Sequence, residues 1–412
     1  MTERTKVRLT PLQIGLLAML VASASLNYLD RQALGAIAPT LKTHFQLTTQ
    51  EWGWINSAFS LVYIFSTLLG GAWIDRVGVR KGLLISTIVW SVAAVGHVFA
   101  SGFWSLCFWR MLLALGEGPG LSSLLKGVRR VMPPQMRDTG TGLVGAGWTF
   151  GALAAPLVIV PLAVKFGWQT AFVLTAGLCL VWIPLWLALA FRSESNLGPT
   201  AEVQAGSDER PQLMRWRSWA LWATLLAVFF AVPPTVFTNN FLSLYLSKTH
   251  GLSQSEIGWV LWKPFLATDL GQIAGGFAAF ALLRRGWHFL NARRLVMLVG
   301  LVGSAVIIGL NFTTDATVAV WWMNASRFLF QCAYTVLLAY GIESVAENQT
   351  ALMAGLMNAT FSACNFFFNP LIGWLADNHG YRPVVTLIAL TPLAGLACWL
   401  ALSHQHARRA IS

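Results

Sequence analysis

Twelve blocks of predominantly apolar residues, each about twenty or more long, run the length of the chain and constrain it more than any other feature. A helix needs roughly 20 such residues to cross about 30 Å of hydrocarbon. Water is absent there, so every backbone group must bond within a helix or around a closed barrel. The blocks lack the apolar–polar alternation of barrel strands, and helices are therefore expected. They fall at 12–38, 48–73, 82–101, 104–127, 139–163, 169–191, 218–246, 254–282, 294–311, 317–341, 350–374 and 383–403. With 56% hydrophobic and only 11% charged residues among 412, the chain cannot clothe a soluble surface of that size. The basic start (Arg4, Lys6, Arg8) runs into an apolar stretch too long, and too polar in its second half, for a cleavable signal.

The net charge of +12 invites a nucleic-acid reading, but its distribution argues against one. Under this span assignment 20 of the 28 Lys and Arg lie on one side, in clusters such as Arg76–Arg80–Lys81, Lys126–Arg129–Arg130–Arg137 and Arg284–Arg285–Arg293–Arg294. Four lie opposite: Lys42, Lys165, Lys248 and Arg382. The positive-inside rule then places both termini in the cytoplasm. The partners expected are the lipid bilayer and a solute, with no nucleic acid. All five cysteines (Cys107, Cys179, Cys332, Cys364, Cys398) lie singly inside spans and read as packing residues rather than metal ligands or disulfides.

Residues 192–217, rich in Ser, Glu, Gly, Pro and Asp, interrupt the apolar blocks and read as a cytoplasmic linker between six spans (1–191) and six more (218–412). The two halves repeat each other. Leu47 to Trp54 opens span 2 as Leu252 to Trp259 opens span 8, each with a Ser/Thr turn followed by Glu (Glu51, Glu256) that resembles a helix cap. The same offset carries Gly70-Gly71 onto Gly275-Gly276, and Arg110 in span 4 has its counterpart in Arg327 of span 10. A duplicated six-helix unit puts a solute path between the halves, near the midplane.

Gly71-Ala-Trp-Ile-Asp75-Arg76-Val-Gly78-Val-Arg80-Lys81 matches the loop signature G-x-x-x-D-R-x-G-x-R-K of the major facilitator superfamily without a mismatch. Glycines permit a tight turn and close helix approach, and Asp75 can pair with cations and helix ends. The chain is accordingly identified as resembling that superfamily. The fold class this implies is an all-α membrane protein, with twelve transmembrane helices in two six-helix bundles related by pseudo-twofold symmetry. The loop residues Gly71, Asp75, Arg76, Gly78 and Arg80, with Arg110, are expected to latch one conformation. In the second copy, Gly276 to Arg285, Phe280 stands where the acid would be. Asn27-Tyr28-Leu29-Asp30-Arg31, Ala38-Pro39, Ser57-Ala58-Phe59, Tyr63 and Gly116-Glu117-Gly118 extend the resemblance to the anion:cation symporters, especially their hexuronate and D-galactonate branches.

Charges inside a span cost about 2.5–3.5 kcal/mol each at its centre on insertion scales, so they need a reason. Asn27, Tyr28 and Arg31 share one helical face. A guanidinium forks onto a carboxylate with two charge-assisted bonds, which makes Arg31 the candidate for a substrate carboxylate; the alternative is an ion pair that only holds helices together. The resemblance implies the same role for Arg31, with Tyr28 helping. Asp30 and Glu117 are the candidate proton carriers, a role the resemblance also implies. Here the alternative is a structural pair, such as Glu117 with Arg110 two turns earlier. Sugar acids also present hydroxyls, for which Tyr63, Thr149, Asn239, Asn240, Gln331, Tyr334, Asn358 and Asn365 are candidates, each equally able to bond a neighbouring helix. Thr149 stands where the resembling hexuronate carriers often have Asn.

The expected function is proton-coupled import of an organic anion, most simply a hexuronate or aldonate, by a monomer in a bacterial inner membrane. An exporter or exchanger of another solute stays open, as does a non-transporting nutrient sensor, although the linker and tail are short for a sensor. No nucleophile–base pair, metal cluster or phosphate loop is present in the sequence pattern, so neither enzyme activity nor a cofactor is expected.

Overall fold

The computed structural model describes residues 9–192, 197, 218–345 and 349–409. The basic residues Arg4, Lys6 and Arg8 and nearly all of the 192–217 linker lie outside them. Among the described residues the chain is helical, with no strands. It divides into two compact units, Met1–Leu34 with Phe65–Gly206, and Gly35–Ile64 with Ser207–Ser412.

The first unit contains most of α1 (Pro11–Ala36), the second half of α3 (Thr49–Val77), α4 (Val79–His97), α5 (Phe103–Glu117), α6 (Gly120–Val131), α7 (Arg137–Phe166) and α8 (Gln169–Ala190). The second contains α2 (Ala38–His44), the first half of α3, α9 (Trp219–Ala231), α10 (Pro233–Asn240), α11 (Leu242–His250), α12 (Gln254–Leu261), α13 (Lys263–Arg284), α14 (Phe289–Ser304), α15 (Ala316–Glu343), α16 (Thr350–Asn378) and α17 (Tyr381–Arg409). Each of the twelve predicted spans coincides with one helix or with consecutive helices broken by a local feature. Gly118-Pro119 separates α5 from α6, and Pro233-Pro234 opens α10.

Nine helical segments among the described residues are long and apolar enough to cross a membrane by length and composition. The other three predicted spans are α5–α6, α15 and α16, which carry Arg110 and Glu117, Arg327 and Gln331, and Asn358, Asn365 and Asn369.

The side-chain distribution fits a hydrocarbon solvent. On α8, Phe172, Ala176, Cys179, Trp182 and Trp186 are buried, whereas Val173, Leu180 and Val181 face outward at 56%, 66% and 61% exposure. Water would penalise so much exposed apolar surface, and lipid does not.

The repeated Ser/Thr–Glu turns cap helices in both halves. Thr48 Oγ1 accepts from the Glu51 N–H at 3.0 Å, and Glu51 Oε2 accepts from the Thr48 N–H at 2.8 Å. Ser253 and Glu256 make the same reciprocal pair at the start of α12.

Segment 35–64 groups with the second unit because its backbone packs directly on α10, α11 and α16. A Cβ on Gly53 would collide with the Asn369 carbonyl, and one on Gly373 with that of Thr49, so glycine is what lets α3 and α16 touch backbone to backbone. Hydrogen bonds tie the same seam. Trp52 Nε1 donates to Asn240 O (2.8 Å), Ser57 Oγ to Phe366 O (2.8 Å) and the Gln50 N–H to Asp377 Oδ2 (2.8 Å).

Candidate functional site

In the first unit the structure brings four of the charges predicted inside spans into one cluster: Asp30 and Arg31 from α1, Arg110 and Glu117 from α5. Asp30, Arg110 and Glu117 are only 2%, 4% and 2% exposed, so their charges are compensated locally or not at all. The cluster holds two acids and two guanidiniums.

The local sequence explains how Glu117 reaches it. Gly116 turns toward α4, where an added Cβ would lie 2.6 Å from Trp90 N, and Gly118 abuts Ser66 of α3. With both flanking residues reduced to hydrogen, the end of α5 packs against two helices and aims the intervening carboxylate at α1. There Arg31 Nε and Nη2 both donate to Glu117 Oε2, at 2.8 and 2.6 Å. The side chains are 19% and 0% exposed respectively, so the guanidinium keeps partial access while the carboxylate has none. Arg31 also sits over the Tyr28 ring, 5.2 Å from its centroid, a cation–π contact that holds it against α1.

Arg110 acts on Glu117 and on Asp30 through space, and the Asn27 amide lies against Glu117. Asp30 Oδ1 accepts from Thr175 Oγ1 of α8 at 3.0 Å, while Oδ2 has no hydrogen-bond partner among the described residues. Thr149 lies half-buried on α7 beside Trp148, whose ring is 6.1 Å from that of Tyr28. Chemically, the cluster can exchange partners. A carboxylate that takes a proton releases its guanidinium, which is then available to another anion.

The loop after α3 behaves as its composition suggests. Gly78 takes φ 83°, a left-handed conformation that permits the turn into α4. Asp75 Oδ1 pairs with Lys126 Nζ at 2.5 Å, and the same ammonium donates to Gly71 O at 2.8 Å. Lys126 is thus tied to the loop from α6, a partner that lies 51 residues away and that the loop signature does not identify. Arg80 stacks on Phe191 at 4.7 Å; Arg76 is exposed. In the second unit, where Phe280 replaces the acid, Arg293 makes a two-pronged pair with Glu343, both contacts at 2.7 Å, and covers Phe289 at 3.9 Å.

The remaining candidates lie in the second unit. Tyr63 stacks on Phe59 (5.4 Å) and Tyr334 on Phe330 (5.3 Å). Asn240 Nδ2 donates to Asn369 Oδ1 at 2.8 Å, so part of this amide's capacity is spent within the unit. Asn365 Nδ2 donates to Phe361 O in its own helix, and Asn239 Oδ1 has no hydrogen-bond partner among the described residues. Gln331 and Asn358 are half-buried. The structure adds Thr175 and Asn369 to the polar groups that matter. Thr175 had no signal, being a single polar residue in an apolar stretch. Asn369 had one, since it lies four residues after Asn365 on the same face of α16.

Residues 20–360 match the family profile described as Major Facilitator Superfamily. The hexuronate transporter of Escherichia coli (strain K12) is 26% identical over 413 residues, covering 95% of this chain and 94% of that one. The D-galactonate transporter of Escherichia coli O6:H1 is 25% identical, covering 94% of each. Among solved structures, an inward-facing bacterial homolog of the human lysosomal transporter Spinster aligns with a TM-score of 0.74 at 18% identity, covering 95% of this chain and 96% of that one. The fold, the family match and the names of the relatives agree: this chain belongs to the Major Facilitator Superfamily and is an integral membrane transporter, not an enzyme.

Proposed function

We propose that this transporter imports a small organic anion, a sugar acid such as a hexuronate or aldonate, together with protons by alternating access. The observation that carries the reading is the buried Arg31–Glu117 pair, flanked by Asp30 and Arg110. Arg31 binds the substrate carboxylate with help from Tyr28. Glu117 and Asp30 carry protons. While Glu117 is ionised it occupies Arg31, and once protonated it yields the guanidinium to the substrate. Substrate and proton therefore load together.

Tyr63, Thr149, Asn239, Asn240, Gln331, Tyr334, Asn358 and Asn365 supply the amides, hydroxyls and aromatic faces that a polyhydroxylated anion needs. Gly71, Asp75, Arg76, Gly78, Arg80 and Arg110 form the latch. The sequence repeat supports a functional division into bundles 1–191 and 218–412 joined by the 192–217 linker. The Lys/Arg asymmetry supports cytoplasmic termini in a bacterial inner membrane. We take the working unit to be a monomer. Relatives named as hexuronate, D-galactonate and galacturonate transporters support the substrate class.

The test is uptake into proteoliposomes from a panel of sugar acids, with and without an inward proton gradient. Gradient-driven accumulation of one of them is expected, and Arg31→Ala should abolish its binding. If no carboxylate accumulates under the gradient, symport is wrong; if Arg31→Ala still binds the anion normally, the site is wrong.

A further inference from the structure

Arg327, on α15 of the second unit, is only 4% exposed, and its Nε and Nη1 have no hydrogen-bond partner among the described residues. None of the ion pairs among those residues includes it. A guanidinium placed to tie helices together would end its N–H groups on a neighbour, as Arg293 does on both oxygens of Glu343. Asp269 of α13 acts on Arg327 only through space, and it lies on the far side of α13 from the Gly271 and Gly275 contacts with α15. The sequence repeat sharpens the contrast. Arg327 is the counterpart of Arg110, which has Glu117 seven residues on along the same helical face; at that position the second unit has Tyr334. The first unit thus gives this buried cation an acid on its own helix face, and the second does not.

The faces of α15 show where these donors lie. Toward α14 it presents Ser326, whose hydroxyl donates to Ser304 O at 2.6 Å, with Leu329 and Ala333, against which a Cβ on Gly300 would collide. Toward α13 it presents the Phe328 and Cys332 carbonyls, met by Gly271 and Gly275. Toward α16 and α9 it presents Tyr334, 6.4 Å from the Phe361 ring, and Gly341, packed on Met357 and Thr224. At about 100° per residue, Asn324, Arg327 and Gln331 fall together on the remaining strip, between the α13 and α16 contacts and away from α14. Asn324 Oδ1 is buried there without a hydrogen-bond partner among the described residues, and Gln331 is half-buried. Asn324 and Arg327 stand one turn apart, yet neither satisfies the other. Buried donors and an acceptor left open on one line of a helix cost free energy within the fold, which a ligand with matching groups recovers.

An N–H fork beside a carboxamide oxygen suits a particular chemistry: the fork takes a carboxylate, and the oxygen accepts from a hydroxyl on the adjacent carbon. We propose that Arg327 and Asn324 bind a second carboxylate of the transported anion, flanked by such a hydroxyl, so that the substrate is a hydroxy diacid of the aldarate type. Gln331, one turn further along the strip, supplies an amide to the next hydroxyl. The inference rests on the sugar-acid reading above and narrows it. Arg31 takes one terminal carboxylate and Arg327 the other. A monoacid leaves the Arg327 charge unmatched, whereas a diacid neutralises it, and the strip on α15 thereby sets specificity.

The test compares acids that differ at one terminus, gluconate against glucarate and galactonate against galactarate, with glucuronate as a hexuronate. Affinity is read from counterflow by the full-length protein in proteoliposomes and from ligand-induced shifts of its thermal midpoint. The unaltered protein should hold one diacid about tenfold or more tighter than the matching monoacid. Arg327→Gln should erase that preference, and Arg327→Lys, which keeps the charge but not the fork, should retain only part of it. Asn324→Ala should weaken the diacid severalfold more than the monoacid. Monoacids bound as tightly as the diacids, glucuronate included, or a diacid preference that survives Arg327→Gln, overturn the inference and leave Arg31 as the carboxylate ligand. Should Arg327→Gln fail to fold, a preference undiminished in both Arg327→Lys and Asn324→Ala overturns it equally. Binding of none of these acids would instead sink the sugar-acid reading, and this inference with it.

Discussion

Glu117→Gln gives the sharpest test of the site in the first unit. The substitution keeps the shape of the side chain and one oxygen for Arg31, but removes the charge. In the unaltered protein two charge-assisted bonds end on Glu117 Oε2, at 2.8 and 2.6 Å. Hydrogen bonds to charged groups contribute about 1.5–3 kcal/mol each. A neutral acceptor retains roughly half of that, so glutamine holds Arg31 about 1.5–3 kcal/mol less tightly. The Arg31 side chain is 19% exposed, which screens the interaction and favours the lower end. A substrate carboxylate competing for Arg31 should therefore bind about tenfold tighter at a pH where the unaltered Glu117 is ionised. The assay is sugar-acid binding and counterflow in proteoliposomes near pH 6 and pH 8. The expected result is tight binding at both pH values, intact exchange, and loss of gradient-driven accumulation. If the variant binds no tighter at pH 8 than the unaltered protein, and still accumulates substrate under a proton gradient, Glu117 does not compete for Arg31 and the coupling argument fails.

Other perturbations probe separate parts. Arg31→Lys preserves the charge but not the fork, so affinity for the carboxylate should fall about tenfold or more, measured as the counterflow half-saturation constant. Lys126→Ala removes an ion pair whose side chains are 33% and 55% exposed, so the thermal midpoint should move little while turnover drops; an unchanged turnover would argue that the loop is no latch. Gly53→Ala pushes a Cβ into the Asn369 carbonyl and should destabilise the α3–α16 seam by about 1–3 kcal/mol, read as a lower melting temperature in detergent. Asp315 caps α15, where the N–H groups of Val318 and Thr317 hold its carboxyl below the usual aspartate range. A lowered folded-state value means its stabilisation is complete above the unfolded value, about 3.9, and fades as pH falls through the folded one. Asp315→Ala should thus melt lower than the unaltered protein at pH 7, and the gap should close in acid.

The sequence alone determined the solvent, the helical class and the repeat. Those depend on composition and period, which survive without knowledge of any contact: a twenty-residue apolar block has few fates, and a doubled signature signals a doubled fold. It also marked Asp30, Arg31, Arg110 and Glu117, because a charge in an apolar span is conspicuous by its cost. What it could not decide was pairing. Arg31 and Glu117 are 86 residues apart, and Arg110, two turns before Glu117, was as plausible a partner until the flanking glycines were seen to aim the carboxylate at α1. The Asn240 amide reads as a free polar group in the sequence, yet in the fold it is joined to Asn369. One-dimensional patterns report what a residue costs in lipid; which residue repays that cost is settled by helix register and close approach, and these exist only in the packed structure.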